Sequence, residues 1–209
     1  ALIHDDKLFV YYGAADTRVG LATCDLEELL KEMHHPAIPS LPLQKHQHKL
    51  KRFNGNPIIT PALEIAWQAL GTYNPAAIYE DGKVHILYRG QAVNGTSVVG
   101  YAVSRDGLHI DENLDEPIYF PRESFEQKLK PDGNSGCEDP RITRIGEKFF
   151  MLYTAYDGVN PPCIAMTSIS VENFLNRQWN WEKPRIISHS GTDDKDACII
   201  KGKVADTFL

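Results

Sequence analysis

Gly136-Cys137-Glu138-Asp139-Pro140-Arg141-Ile142 runs without a break into Thr143-Arg144-Ile145-Gly146-Glu147-Lys148-Phe149-Phe150-Met151-Leu152-Tyr153 and closes on Thr154-Ala155-Tyr156-Asp157-Gly158. Two runs rich in β-branched and aromatic residues flank a glycine-containing turn, which is the pattern of a hairpin. A strand of smaller residues, Cys163-Ile164-Ala165-Met166-Thr167-Ser168, follows. The same pieces occur upstream in the same order. Asn74 to Glu80 and Lys83 to Gly90 flank Asp81-Gly82, a strong hairpin signal, and Ser97 to Ser104 supplies the small-residue strand. A first version runs from Leu2 to Gly13 around Asp5-Asp6, then from Arg18 to Thr23. The second and third copies begin near Ala76 and Arg141, 65 residues apart. One such unit cannot bury its faces alone, so neighbours must stack around an axis. The repeat predicts an all-β propeller with one blade per unit; a β-sandwich of the same strands is the competing architecture.

The acids at the head of the third copy are the candidates for chemistry. Glu138 and Asp139 are adjacent, so in an extended chain they point to opposite faces, and only one is expected to aim into a given cleft. Pro140 fixes its own φ and disfavours the helical region for Asp139, so that carboxylate is expected to be held rigidly just before a strand begins. A rigid carboxylate there suits a general acid. A plain Asp-Pro turn, with Arg141 paired to a neighbouring carboxylate, is the other reading.

The remaining composition narrows the function class. The 209 residues are 42% hydrophobic and 24% charged, as in a globular protein. A net charge of −6 and the lack of a basic stripe argue against nucleic acid as a partner. No apolar run reaches the roughly 20 residues that span a bilayer, so no membrane partner is expected. No signal peptide is visible, and Cys24, Cys137, Cys163 and Cys198 form no Cys-x-x-Cys pair. They read as separate thiols in a reducing, cytoplasmic setting. Lys31 to Asn56, rich in Pro, His and Lys, has no steady period and reads as a basic connector, and His46-x-His48 lacks a third ligand for a metal. Asp25 is placed to start a short helix, and Glu126 to Lys130 reads as a solvated loop.

The string Gly-x-Glu-Asp-Pro-Arg-Ile, a short strand, then Tyr-Thr-Ala-Tyr-Asp-Gly resembles the signature of glycoside hydrolase family 130, the mannoside phosphorylases and related mannosidases. That resemblance implies a five-bladed β-propeller, incomplete in this chain at about three to four blades. Tyr11 to Ala22 resembles the family's last blade and Asn56 onward its beginning. The domains expected are therefore 1–33 as a last-blade-like segment, 34–55 as a linker, and 56–209 as first blades, with a fourth unit beginning near Ala197. A whole ring needs about 300 residues at this spacing. The chain thus resembles the junction of two tandem propellers, or a permuted and shortened one.

Residue by residue, the resemblance makes Asp139 the catalytic acid. Asn74 and Arg89 fall at positions that hold the mannosyl unit, Arg141 in the matched string is likewise expected to bind substrate, and Tyr156 and Asp157, also expected to bind it, lie on the loop that shapes the sugar pocket. Asp194-Lys195-Asp196-Ala197 resembles an Asp-Lys-Asn-Ala string in which the basic residue, here Lys195, helps bind phosphate. Asp196 stands where asparagine is common, and its charge would repel phosphate. The implied reaction is inverting phosphorolysis of β-mannosides to α-mannose 1-phosphate. No cofactor is expected beyond inorganic phosphate as co-substrate, and the partner is a β-mannoside oligosaccharide. A β-mannoside hydrolase, or a non-catalytic sugar-binding propeller, is the alternative. Self-association that completes the ring is a further expectation.

Overall fold

The computed structural model describes residues 1–33 and 50–200, with the short strands at 203–204 and 207–208. Most of the expected linker, including His46 and His48, lies outside the described residues. Three antiparallel four-stranded sheets follow one another along the chain, the second and third continuous as one eight-stranded sheet, with a two-stranded hairpin after them. The first is β1 (Leu2–His4), β2 (Lys7–Ala14), β3 (Arg18–Asp25) and β4 (Lys51–Arg52); the second is β5 (Gly71–Glu80), β6 (Lys83–Gln91), β7 (Thr96–Ser104) and β8 (Glu112–Asn113). The third is β9 (Ser135–Ile145), β10 (Lys148–Tyr156), β11 (Cys163–Ser170) and β12 (Arg185–Ile186). The fold is all-β and propeller-like, with only short helices such as α1 (Leu26–Met33) and α2 (Val171–Leu175). None of the helices among the described residues is long and apolar enough to cross a membrane.

The turns explain why the units repeat. Asp5 and Asp6 both adopt positive φ, as do Asp81 and Gly82, while Gly146 opens the third hairpin at φ 58°. Left-handed two-residue turns match the twist of the strands they join, and Asp, Asn and Gly tolerate that backbone best. Asp25 accepts a hydrogen bond from the Glu28 backbone NH at 2.9 Å, which caps α1 as its position predicts.

Stacking of the sheets builds the core. Phe9, Tyr11, Val19 and Leu21 of the first sheet meet Val84, Ile86, Tyr88 and Ala102 of the second. Leu87, Val99, Tyr101 and Val103 on the opposite face of that second sheet meet Phe149, Met151 and Tyr153 of the third, with Phe174 of α2 and Trp181 closing the layer. Strand β6 is therefore buried from Val84 to Gln91, because alternate residues face a sheet on either side. Tyr88, Tyr153, Phe149 and Trp181 all pack between blades. The second and third sheets are also joined by a short parallel pairing of Thr96 with Ser135 and Ser97 with Gly136. Gly136 has φ 109°, and a Cβ there would lie 2.2 Å from the Ser97 carbonyl oxygen, so only glycine permits this approach.

Two expectations need revision. Glu126 is not solvated: it is fully buried, and its carboxylate accepts hydrogen bonds from the hydroxyls of Tyr119 and Tyr153 and from the backbone NH groups of Arg122 and Glu123. Its neighbours Arg122 and Glu123 gave no sequence sign of this, since the partners are brought in by other strands. Lys51-Arg52, at the end of the expected connector, forms an edge strand against β3. Residues 187–200 run along the third sheet, where Thr143 Oγ1 donates to the Ile199 carbonyl at 3.1 Å, and beyond them the short strands β13 (Lys203–Val204) and β14 (Thr207–Phe208) pair antiparallel.

A buried histidine gives the fold a pH dependence. The Nε2 of His85 lies 3.1 Å from the Glu80 carbonyl, which only accepts, so Nε2 carries the proton and Nδ1 accepts from the Tyr101 hydroxyl at 2.6 Å. Burial holds the His85 pKa below its ordinary 6.5. Below that value the unfolded chain takes up a proton that the folded ring resists, so stability falls as the medium is acidified. We expect the melting temperature to decline between about pH 7 and pH 5, and His85→Gln to flatten that slope while lowering the plateau. A slope unchanged by the substitution would rule out His85 as its source.

Candidate active site

The innermost strands of the second and third sheets carry the same irregularity. Asn74 (φ 48°) and Asp139 (φ 53°) are left-handed, each is followed by proline, and they stand 65 residues apart. At both places the pairing with the next strand shifts register, between Tyr73 and Ala76 and between Leu152 and Thr154. Bulges of this kind re-aim a side chain out of the strand's alternation. The result corrects the simple period-two expectation. Asp139 lies within β9 rather than ahead of it, and Glu138 and Asp139 both reach one guanidinium instead of facing opposite ways.

That guanidinium is Arg89, which is 8% exposed. Its Nη2 donates to Glu138 Oε1 at 2.7 Å, its Nη1 lies 3.3 Å from Asp139 Oδ1, and its Nε donates to Ser97 Oγ at 2.9 Å. It also lies over the Tyr73 ring, 4.9 Å from the centroid. Asn74 Nδ2 donates to the same Asp139 oxygen at 2.9 Å. Gly13 of β2 leaves room for this amide, because a Cβ there would come within 2.5 Å of Asn74 Oδ1. Tyr73 donates to Gln91 Oε1 at 2.7 Å, and Gln91 Nε2 donates to Asn134 Oδ1 at 3.0 Å, which locks the surrounding layer. Burial pushes the Glu138 pKa up, opposed by Arg89 and reinforced by the neighbouring Asp139.

The other predicted residues lie around this centre in distinct ways. Arg141 folds back, donating from Nη1 to the Pro140 carbonyl at 2.9 Å, with Nη2 3.9 Å from Asp196 Oδ1. Lys195 is exposed, and its charge reaches Glu138. The segment bearing it is pinned on both sides, by Asp194 NH to the Pro162 carbonyl at 3.0 Å and by Asp196 NH to Thr154 Oγ1 at 3.4 Å. Asp196 is itself left-handed (φ 62°), a third such residue beside Asn74 and Asp139. Tyr156 pairs with Gly136 at the head of β9. Asp157 is buried with both oxygens occupied, by the Val159 and Asn160 NH groups at 2.8 Å each and the Asn160 amide at 2.6 Å. Burial would raise its pKa, but those hydrogen bonds prevail and lower it. Its carboxylate thus holds the loop in shape.

Sequence reasoning did not single out Glu138 as a partner of Arg89, nor Tyr73, Ser97 and Gln91. Asp16 was also passed over, although its left-handed loop borders Gly71 and its charge acts on Tyr73. The matching Asn74-Pro75 and Asp139-Pro140 pairs were the available signal, since equal spacing placed them at one level of adjacent blades. Cys137 is fully buried, and burial together with the Glu126 charge pushes its thiol well above the ordinary value, so it is no nucleophile. All four cysteines are free. Among the described residues no cluster of three or more His, Cys, Asp or Glu could hold a metal ion. Clefts of about 470 Å³ beside Tyr12, Arg18 and Arg52 and about 510 Å³ beside Phe150 and Arg185 lie on blade flanks, and neither is lined by Asp139.

Comparison with known proteins identifies the family. The family model for glycoside hydrolase family 130, described as beta-1,4-mannooligosaccharide phosphorylase, matches residues 47–187. The beta-1,2-mannobiose phosphorylase of Thermoanaerobacter sp. (strain X514) is 30% identical over 177 residues, covering 77% of this chain and 53% of that protein. A glycosyl hydrolase structure from Bacteroides ovatus matches with a TM-score of 0.53 at 29% identity, covering 62% of this chain and 39% of its own. A further structure, from work on glycoside hydrolases within this family of mannoside phosphorylases that target beta-1,2 mannosidic linkages in Candida mannan, matches with a TM-score of 0.55 at 28% identity. It covers 67% of this chain and 41% of that one. The chain spans about half the length of the curated relatives it matches. With the model matching from the edge strand β4 through the third sheet, and with it the Asp139 site, the chain belongs to glycoside hydrolase family 130.

Proposed function

We propose that this chain carries the acid-bearing part of a β-mannoside phosphorylase. The observation that supports this reading most directly is the buried constellation in which Asn74 and Arg89 both hold one oxygen of Asp139. A glycosidic bond breaks when a proton reaches the leaving oxygen while a nucleophile meets the oxocarbenium-like centre. Asp139 supplies that proton, directly or through a sugar hydroxyl. Its second oxygen is left to face the substrate. An oxygen of inorganic phosphate attacks the anomeric carbon from the opposite face, the carbon–oxygen bond to the leaving sugar breaks, and α-mannose 1-phosphate forms. Phosphate needs cations rather than a second carboxylate, and Lys195, whose charge reaches Glu138, would supply one, while Arg141 would bind the substrate. Asn74 and Arg89 hold the mannosyl unit, Tyr156 borders it, and Asp157 keeps the adjoining loop in shape.

In this reading the three sheets are blades of a five-bladed ring. Residues 1–33, with the edge strand Lys51–Arg52, take the place of the last blade, and 56–209 form the first blades. The sheet repeat and the family's signature support that division.

The test is phosphate dependence in the whole protein. Incubation with a β-mannobiose should yield mannose 1-phosphate only when phosphate is present. Release of free mannose at an equal rate without phosphate would overturn the phosphorylase reading and assign water as the nucleophile, in keeping with the Asp196 carboxylate beside Arg141.

A further inference from the structure

We propose that Glu138 is a positioning residue that makes Asp139 usable as an acid by taking up the charge of Arg89. This rests on the proposed acid role of Asp139. A buried guanidinium bonded to a single carboxylate would hold it as a permanent anion, which is the wrong state for delivering a proton. Here the guanidinium is divided. Its shorter bond, 2.7 Å, goes to Glu138, and its longer one, 3.3 Å, to Asp139. Ser97 fixes the third nitrogen at 2.9 Å, so Arg89 cannot swing fully toward Asp139.

The arrangement is specific to the bulge. In a regular strand Glu138 and Asp139 would face apart; the left-handed backbone at Asp139 brings both carboxyls to one cation. Both are only 13% exposed, so water screens them little. The charged and titratable groups near the pair include Arg89 from β6, Tyr73 from β5, Lys195 from the segment after β12, and, on β9 itself, the buried Cys137 thiol and Arg141, whose Nη1 lies 3.4 Å from the Asp139 carbonyl. Asp16, on the loop before β3, completes the set through its effect on Tyr73. Burial and the neighbouring Asp139 both raise the Glu138 pKa while Arg89 opposes them, so the charge on Asp139 bears on the ionisation of Glu138.

Two measurements on the whole protein test this. In the first, ¹³C NMR follows the Glu138 side-chain carboxyl with pH in the native sequence and in Asp139→Asn. Loss of the neighbouring negative charge should move the Glu138 midpoint down by roughly one pH unit. An unmoved midpoint would overturn the shared-guanidinium coupling. In the second, Glu138→Gln keeps an acceptor for Arg89 but not the charge. The alkaline limb of the kcat profile on a β-mannoside should shift to lower pH by about one unit, with KM nearly constant. A uniform fall in kcat with the limb in place would mark Glu138 as merely structural. The NMR arm stands even where the glutamine variant folds poorly. The two readings also fail separately: full turnover in Asp139→Asn removes the acid role, whereas the carboxyl titration tests the coupling irrespective of activity.

Discussion

Asp139→Asn is expected to lower turnover of a β-mannoside by about 10³-fold while changing its binding only a few-fold. The amide has nearly the shape of the carboxyl, and its oxygen can still accept from Asn74 Nδ2 and Arg89 Nη1, the two bonds that fix the native group. It cannot deliver a proton. The loss should therefore fall on kcat, since the interaction is made only as the glycosidic bond breaks. Steady-state kinetics with and without phosphate, combined with calorimetric binding of the same mannoside, separates the two effects. Retained turnover would remove Asp139 from the acid role and turn attention to Glu138, whose carboxyl is buried beside it. A loss of binding equal to the loss of turnover would instead mean that the substitution has broken the Arg89 cluster.

Glu126→Ala should destabilise the fold by roughly 3–5 kcal/mol. Its carboxylate is fully buried and accepts from four donors, the hydroxyls of Tyr119 and Tyr153 and the NH groups of Arg122 and Glu123. Truncation leaves the two NH groups without this acceptor and the two hydroxyls with only each other, 2.9 Å apart. Each orphaned buried donor costs about 1–3 kcal/mol, so even partial rearrangement leaves a large deficit. Tyr119→Phe and Tyr153→Phe each remove one donor and should cost much less, about 1 kcal/mol. Urea unfolding at fixed pH measures all three. A Glu126→Ala cost no larger than that of either phenylalanine variant would show that the carboxylate is not the organising acceptor. The effect should extend to the site, because Leu129 NH donates to the Asp157 carbonyl at 2.8 Å, tying the Glu126 loop to the one that Asp157 shapes.

These two acids show where reading the chain succeeded and where it stopped. Asp139 was singled out by the contiguous string from Gly136 to Ile142, whereas the recurrence of Asn74-Pro75 as Asp139-Pro140 65 residues later went unread. Arg89, at the end of an aromatic strand in the preceding blade, followed from the same signature. Glu126 was not legible, since Glu-Gln-Lys-Leu-Lys has the composition of a solvated loop and its burial comes from tyrosines 7 and 27 residues away. Asp157 was placed on the right loop, but its use as an anchor for Val159 and Asn160 needed coordinates. Glu138 was set aside by the period-two rule, which holds for regular strands and fails at a bulge.

The sequence by itself determined the hairpins, the repeating unit, the all-β class and the family, because these depend on local turn chemistry, on alternation and on a contiguous string. Only the tertiary structure decided how charges are shared. Positive φ at Asn74 and Asp139 turns two side chains from adjacent blades onto one atom pair, and the stacking of sheets buries Arg89 between two carboxyls. Electrostatics of that kind depend on distances between residues 49 to 65 positions apart and on the exclusion of water, neither of which is written in neighbouring residues.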